Sequence, residues 1–413
     1  MDKVKLALAA DVHLGSSFSS FPESEAQSLR EAQEETLANL CSYCQRQEIS
    51  LLFLAGDLFD HTNPDKALLR CTQQSFALCP GTEIYLVPGN HDPYFEGSFW
   101  DAEGWPDNTR VAKKTGTCWQ MPGKKLRIYS EPFVSQSACQ SLITQLEPRL
   151  DPSFFNLLLL HGDLVSDGSG SRYNPIFQSW LADSRLDLAV LGHRHGATDL
   201  IKLGKTELVY PGALMGRGFD ELGNKGFYAG TISKRKGLYE TSFKTDIQLR
   251  FIALKQAAFY REEIELSSNE ELDYDAWQQQ ILRQISQVVE AKSQSAKRLA
   301  LRIDLTGRSE FSPDLNFLQS SLSGRCLHLD IVDKSRRPLD LKKIAETQGL
   351  KAYAAKLCDD LQSDIAEGKA SPSTPDVELG KLYQALSAYP IEQQKQIMDQ
   401  AMDMLFSLLE QGE

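Results

Sequence analysis

Five short apolar runs, each followed at once by a turn rich in aspartate, histidine and asparagine, restrict what this chain can become. Leu6–Ala10, Leu51–Ala55, Ile84–Val87, Leu157–Leu160 and Leu188–Leu191 are continuous rather than alternating. Each therefore suits a strand covered on both faces. The turns that follow are Asp11-Val-His13, Gly56-Asp57, Gly89-Asn90-His91-Asp92, His161-Gly162 and Gly192-His193-Arg194-His195. Six of the seven histidines lie in or beside these motifs, and only His328 falls elsewhere. Core histidines scattered at random would not gather in this way, and strand ends are where α/β proteins place their chemistry. Glu25–Gln47 and Asp65–Leu78 read as amphipathic helices between the strands, so the expected class is α/β.

The residue types point to divalent cations. Such ions take carboxylate and amide oxygens and imidazoles, and one carboxylate can bridge a pair of them. Asp11, His13, Asp57 and His195 can surround one ion. Asp57, Asn90, His161 and His193 can surround another, with Asp57 as the bridge. One intervening residue puts Asp11 and His13 on the same side of an extended segment, and likewise His193 and His195. Gly56, Gly89, Gly162 and Gly192 permit tight turns and close backbone approach. A donor set without thiolate favours manganese or iron over a closed structural zinc site.

The five motifs resemble those of the calcineurin-like metallophosphoesterases. Three longer stretches are similar to the DNA-nuclease branch, the SbcD/YhaO repair exonucleases: Ala55-Gly-Asp-Leu-Phe-Asp60 with Asn63-Pro64, Pro88-Gly-Asn-His-Asp-Pro93, and Tyr210-Pro-Gly-Ala-Leu214 with Gly216-Arg-Gly-Phe219. The resemblance implies a two-sheet sandwich flanked by helices, two divalent metal ions (Mn2+ foremost, Fe2+ or Mg2+ usable), and in-line attack on phosphorus by a hydroxide held between them. It implies hydrolysis of DNA as an exonuclease, with endonuclease action also open, in repair. The metal core alone also allows a phosphoesterase for small nucleotides or phosphoproteins. A non-catalytic scaffold is a third reading, against which the full ligand set counts.

The resemblance makes His91 the acid that protonates the leaving oxygen, or a donor to the phosphate. Asp92 either orients His91 or is a turn residue before Pro93. Arg217, beside the Pro211-Gly212 turn, is a phosphate contact or a salt-bridge partner. Archaeal and eukaryotic relatives carry histidine three positions after the bridging aspartate. Here, as in SbcD-like members, that residue is Asp60, and His61 reads as an exposed turn residue. The segment Pro93–Trp100 either presents aromatic faces to unpaired bases or packs on the core through Phe99 and Trp100.

Residues 1–245 thus read as the metallophosphoesterase domain. Phe259–Leu266, Arg298–Leu305 and Cys326–Val332 alternate like strands, with helical stretches at Asp273–Ala291 and Pro313–Leu322 between them, so 250–338 reads as a small α/β cap over DNA. Residues 339–413 read as helical, interrupted by a Ser/Pro-rich link at 370–375. Ile397, Ala401, Leu405 and Leu408 share a helix face, with Met398, Met402 and Leu409 flanking it. The resemblance implies docking of these helices on an SbcC-like, SMC-type ATPase. Packing on the chain itself or on a second copy, as a homodimer, is the alternative.

A net charge of −12 argues against indiscriminate coating of nucleic acid, which rests on lysine and arginine. Dications and a basic partner surface would offset it. No apolar stretch is long enough to span a bilayer. Val4–Ala10 is bracketed too closely by Asp2, Asp11 and His13 for a signal peptide, so a buried first strand is expected. The eight cysteines, including Cys41 and Cys44 in a helix-like stretch, then read as reduced and structural, and the location as cytoplasmic.

Overall fold

The computed structural model describes residues 3–145, 150–237, 243–267, 272–338, 340–367, 381, 384–386 and 388–411. In chain order, β1 (Val4–Ala9), α1 (Glu23–Arg46), β2 (Leu51–Ala55), α2 (Lys66–Ala77), β3 (Glu83–Val87) and β4 (Thr109–Val111) build a first layer. A second follows with β5 (Thr117–Met121), β6 (Leu126–Ser130), β7 (Phe155–His161), the short pair β8 (Leu164–Val165) and β9 (Ile176–Phe177), α3 (Gln178–Asp183), β10 (Leu188–Gly192), β11 (Ile201–Leu203) and β12 (Thr206–Val209). The antiparallel strands β13 (Gly226–Lys236) and β14 (Phe243–Ala253) return to the first layer. The result is two six-stranded sheets, ordered β14-β13-β1-β2-β3-β4 and β11-β12-β10-β7-β6-β5. This is the expected mixed α/β architecture of two sheets flanked by helices.

The burial explains why the runs are continuous. On β1, Leu6 and Leu8 join Leu157, Leu159, Leu188 and Val190 in the core between the sheets. Ala7 and Ala9 point the other way, into a core with Leu37 and Leu40 of α1 and Phe76 of α2. Leu158, Leu160, Ala189 and Leu191 pack on the outer face of the second sheet with Leu181. Both faces of each central strand are thus apolar, as a covered parallel sheet requires. The helix α1 buries Leu29, Ala32, Thr36, Leu37 and Leu40 along one stripe, and α2 is capped by Asp65, whose carboxylate accepts from Leu68 N at 2.8 Å. Cys41 and Cys44 lie fully buried on α1, as structural residues would.

The parallel pairings β1–β2–β3 and β7–β10 bring the C-terminal ends of these strands to one edge. All five motifs sit there. The first sheet extends past the expected domain end at residue 245, because β14 pairs with β13 from Lys236↔Phe243 to Gly226↔Ala253.

The cap elements follow the expected β-α-β-α-β order: β15 (Ala257–Ser267), α4 (Tyr274–Ser293), β16 (Arg298–Arg308), α5 (Leu315–Ser321) and β17 (His328–Asp333). They form a three-stranded sheet, β15-β16-β17. Contacts group most of it with the N-terminal sheets: one compact unit comprises Met1–Glu265, Asn269–Thr306 and Pro313–Lys334. The physical reason is a shared core, in which Ala257, Phe259 and Ala300 pack with Phe18, Phe21, Leu29 and Met215. Arg298 also pairs with Glu35 of α1 at 2.8 Å.

The second unit holds Ser335–Glu413 with two short segments. Its helices are α6 (Leu341–Ala345), α7 (Leu350–Ala366) and α8 (Ile391–Gln411). Met402 and Phe406 of α8 pack with Ala354, Ala355 and Cys358 of α7, and Met398 packs with Leu361 and Ile365. The buried face is therefore the one expected only to flank. Ile397, Ala401 and Met404 stay exposed, and the side chain of Leu408 lies outside the described residues. The link at 370–375 and most of the expected helix over 376–388 also lie outside them.

Candidate metal centre

Asp11 and His13 follow β1, Asp57 follows β2, Asn90 and His91 follow β3, His161 ends β7, and His193 and His195 follow β10. The backbone there is unusual. Among the described residues nine non-glycine positions have positive φ, and four are Asp11 (49°), His13 (51°), Asp57 (50°) and His193 (94°). The Asp11–His13 segment is thus left-handed rather than extended as the sequence suggested. The turn is held by His13 N donating to Asp57 O at 2.9 Å and Asp11 N to Gly56 O at 3.1 Å. A Cβ on Gly89 would fall 2.1 Å from Asp57 Oδ1, so only glycine lets the β2 and β3 turns meet.

The tautomers follow from hydrogen bonds. His13 Nδ1 donates to Asp60 Oδ1 (2.9 Å), His195 Nδ1 to Glu221 Oε1 (2.7 Å), and His161 Nδ1 to the Ala55 carbonyl (2.9 Å). Carboxylates and carbonyls only accept, so in each neutral ring Nε2 keeps a bare lone pair. These lone pairs converge. His13 Nε2 and His195 Nε2 are 3.1 Å apart. His161 Nε2 lies 3.0 Å from Asn90 Oδ1 and 3.3 Å from Asp57 Oδ2, and that same Oδ2 is 3.6 Å from His13 Nε2. Asp11 Oδ2 is buried without any hydrogen-bond partner. Acceptors facing acceptors at these distances repel unless a cation lies among them.

The titration behaviour agrees. Burial disfavours charge on His161, yet the Asp57 and Asp11 carboxylates hold its imidazole above the ordinary range. Burial would raise the Asp57 carboxyl, but His161 and His13 outweigh that and depress it. Burial lowers His13 and His193. The donor set is hard oxygen plus imidazole, which fits a divalent transition metal.

Asp11, His13 and His195 form one group able to hold a cation, and Asp11, Asp57 and His161 another. Asn90 joins through its amide oxygen. His193 stands at the rim: its ring is 5.3 Å from that of His161, and its Nε2 is 3.7 Å from Asp163 Oδ1.

His91 is 40% exposed at the side chain, and its Nδ1 donates to the Asp60 carbonyl at 3.0 Å. Asp92 does not meet it. The Asp92 carboxylate is fully buried and accepts instead from Gly89 N (2.7 Å) and Phe59 N (3.1 Å). Its expected role in orienting His91 falls to Asp60, three residues after Asp57. Arg217 Nη1 donates to Asp60 Oδ1 at 2.9 Å, and its Nε lies 3.4 Å from Glu221 Oε1. His61 is exposed, as expected, and Trp100 is buried beside Phe59 and Phe99. Sequence reasoning gave no role to Asp60 or Glu221. Spacing from Asp57 was a signal for the first; Glu221 carries none, being one of two adjacent carboxylates, Asp220-Glu221, after a glycine turn.

Fold and donor set together make a cluster suited to divalent metal ions at one edge of two sheets. Residues 4–197 match the calcineurin-like phosphoesterase family. The chain is similar to the uncharacterized metallophosphoesterase YhaO of Bacillus subtilis, 27% identical over 249 residues, which is 58% of this chain and 60% of that relative. Similar solved structures include a dimetal phosphatase from Danio rerio (11% identical, TM-score 0.37, covering 60% of this chain and 98% of that one). Another is a protein from Thermus thermophilus (12% identical, TM-score 0.35, covering 59% and 99%). No helix among the described residues is long and apolar enough to cross a membrane.

Proposed function

We propose that the chain is a metal-dependent DNA nuclease of the SbcD/YhaO type, acting on phosphodiesters in repair. The observation that carries this reading is the nuclease-like sequence around the site, above all Tyr210–Phe219, joined to a cap sheet packed beside it. An open site supports it further: side chains of His91 (40%), His195 (26%) and His193 (20%) reach solvent, as a polymer substrate needs.

Asp11, His13, Asp57 and His195 would hold one divalent ion, and Asp57, Asn90, His161 and His193 a second, Mn2+ foremost. When bound, such ions neutralise phosphate charge and activate water. The chain's own residues do the rest. His91, fixed through Nδ1–H by the Asp60 carbonyl, keeps a side chain 40% exposed and Nε2 as its second ring nitrogen. That nitrogen can hold a proton for the departing oxygen or donate to the phosphate. Arg217 offers a partly exposed guanidinium at the rim for a phosphate oxygen.

Several cations of the cap are paired within it: Arg261 and Lys334 both close on Asp304, and Arg302 closes on Asp330. With a net charge of −12, tight DNA binding then calls for a basic partner. An SMC-type ATPase like SbcC, meeting the exposed Ile397, Met404, Leu350 and Tyr353, fits that requirement better than a second copy with the same charge.

The test is cleavage of end-labelled duplex and single-stranded DNA with Mn2+ or Mg2+, beside a chromogenic phosphodiester. Mn2+-dependent DNA degradation is expected. Hydrolysis of the small ester without DNA cleavage, even with the ATPase present, would move the assignment to a small-molecule phosphoesterase.

A further inference from the structure

The segment from Ala213 to Gly223 touches both the metal centre and the cap, and this double attachment gives its carboxylate a function. At one end, Ala213 N donates to His195 O at 3.0 Å and Leu214 N to Asp11 O at 3.4 Å. At the other, Gly223 N donates to Phe259 O of β15 at 2.8 Å. Between them, Phe219 packs on Phe259 (5.8 Å between centroids) and lies under the Arg302 guanidinium of β16 at 4.7 Å.

Glu221 sits inside this bracket, 7% exposed. Its Oε1 accepts a hydrogen bond from His195 Nδ1–H, and its Oε2 accepts one from the Arg217 backbone N–H at 3.1 Å. The Arg217 side chain then reaches across to Asp60 Oδ1, the carboxylate oxygen that receives His13 Nδ1–H. One arginine therefore ties together the two carboxylates that orient the two imidazoles, His13 and His195, of a single cation group. A carboxylate on the far nitrogen fixes ring direction and makes the near nitrogen a stronger donor to a metal.

We propose that Glu221 and Arg217 are positioning residues that set the metal affinity of the His13/His195 site, and that the cap sheet holds them in place through Phe219 and Phe259. The inference rests on the metal reading of the site but not on DNA as the substrate. It makes the cap part of the metal centre's support as well as a surface over it.

The experiment is calorimetric titration of Mn2+ into the full chain stripped of metal. Glu221→Gln and Arg217→Lys are compared with wild type, and urea unfolding of each metal-free protein serves as a fold check. Glu221→Gln keeps an acceptor for His195 but loses the charge, and its amide N–H meets the Arg217 backbone N–H. Mn2+ affinity at one site should fall roughly 10–100-fold in Glu221→Gln, less in Arg217→Lys. The other site should keep its affinity, metal-free Glu221→Gln should stay folded with a midpoint lowered only modestly by the donor left on Arg217 N, and the activity of Glu221→Gln should return at high Mn2+. A lowered unfolding midpoint with wild-type Mn2+ affinity would overturn the proposal, and so would wild-type affinity in both variants. Phe219→Ala adds an independent arm: unchanged affinity there removes the cap from the argument. A wild-type chain that takes up no Mn2+ would instead sink the metal reading beneath it.

Discussion

Replacing Asp92 separates two accounts of the Gly89-Asn90-His91-Asp92 turn. In the structure both Asp92 oxygens accept from buried backbone, Oδ1 from Gly89 N at 2.7 Å and Oδ2 from Phe59 N at 3.1 Å. The carboxylate thus staples the turn after β3 to the turn after β2. Asn supplies one acceptor, and its amide N–H would face the second donor. A hydrogen bond to a charged group is worth about 1.5–3 kcal/mol, and a stranded buried donor loses that in full. Asp92→Asn should therefore cost about 2 kcal/mol and Asp92→Ala about 4 kcal/mol. Urea unfolding followed by Trp100 fluorescence is the assay, because the Trp100 indole N–H donates to the Asp92 carbonyl at 2.7 Å. The pH dependence has a definite sign. Burial first, and the Asp57 charge second, push the Asp92 carboxyl up to about 7. A carboxyl whose folded pKa is raised contributes stability that is full below the unfolded value of about 4 and lost as pH rises through 7. In chelator, the gap between wild type and Asp92→Asn should narrow from pH 5 to pH 8. Unchanged unfolding midpoints together with a hundredfold loss of activity would refute the staple and restore Asp92 as the partner of His91.

Two further outcomes are expected. His91→Ser should lower activity by about two to four orders of magnitude while metal content, measured by elemental analysis, stays near wild type; Asp57→Asn should deplete both sites, and loss of metal from His91→Ser would make His91 a ligand. In the C-terminal unit, Met402→Asp or Phe406→Asp should destabilise by about 2–4 kcal/mol through the α7–α8 core, whereas Ile397→Asp should leave thermal unfolding unchanged and weaken any co-purifying ATPase. A stable Phe406→Asp would show that this core does not hold the unit together.

The clustered acidic and histidine residues were legible because each follows a run that only a doubly covered strand can use. What the sequence hid are contacts set by folding over distance. Asp60 lies 47 residues from His13 and only its spacing from Asp57 hinted at a role, while Glu221 lies 26 from His195 with nothing local to mark it as an orienter. The β13–β14 pair went unread although β14, Phe-Lys-Thr-Asp-Ile-Gln-Leu-Arg-Phe-Ile-Ala, alternates apolar and polar residues as a half-exposed edge strand does. On α8 the apolar residues spread around much of the helix, so period alone did not choose between the Ile397 face and the Met398–Met402–Phe406 face. The choice came from Leu361 and Ile365 on α7, which accept Met398. Asp92 was ambiguous for a related reason: an Asp before Pro93 fits a turn and an active-site pair equally well until its hydrogen bonds are seen.

The left-handed residues show where the fold spends its stability. A non-glycine residue in that region costs on the order of 1–2 kcal/mol, and Asp11, His13, Asp57 and His193 all bear it. None could relax alone. Asp11 and His13 are bonded to the β2 turn through Gly56 O and Asp57 O, Asp57 Oδ1 accepts from His91 N at 3.0 Å, and His193 N donates to Asp11 Oδ1 at 2.9 Å. Each strained residue is thus fixed by a neighbour that is itself a ligand or adjoins one. The ring of bonds joins groups of the chain itself and so holds the donors in place, which limits the ordering entropy lost on binding a cation. The same bonding makes the site intolerant. Releasing one member, such as the Asp57 carboxylate, frees the His91 backbone and removes an oxygen shared by His13 and His161 at once. Losses at Asp57 should therefore exceed those at His193, which bonds through its backbone and reaches the cluster only from the rim.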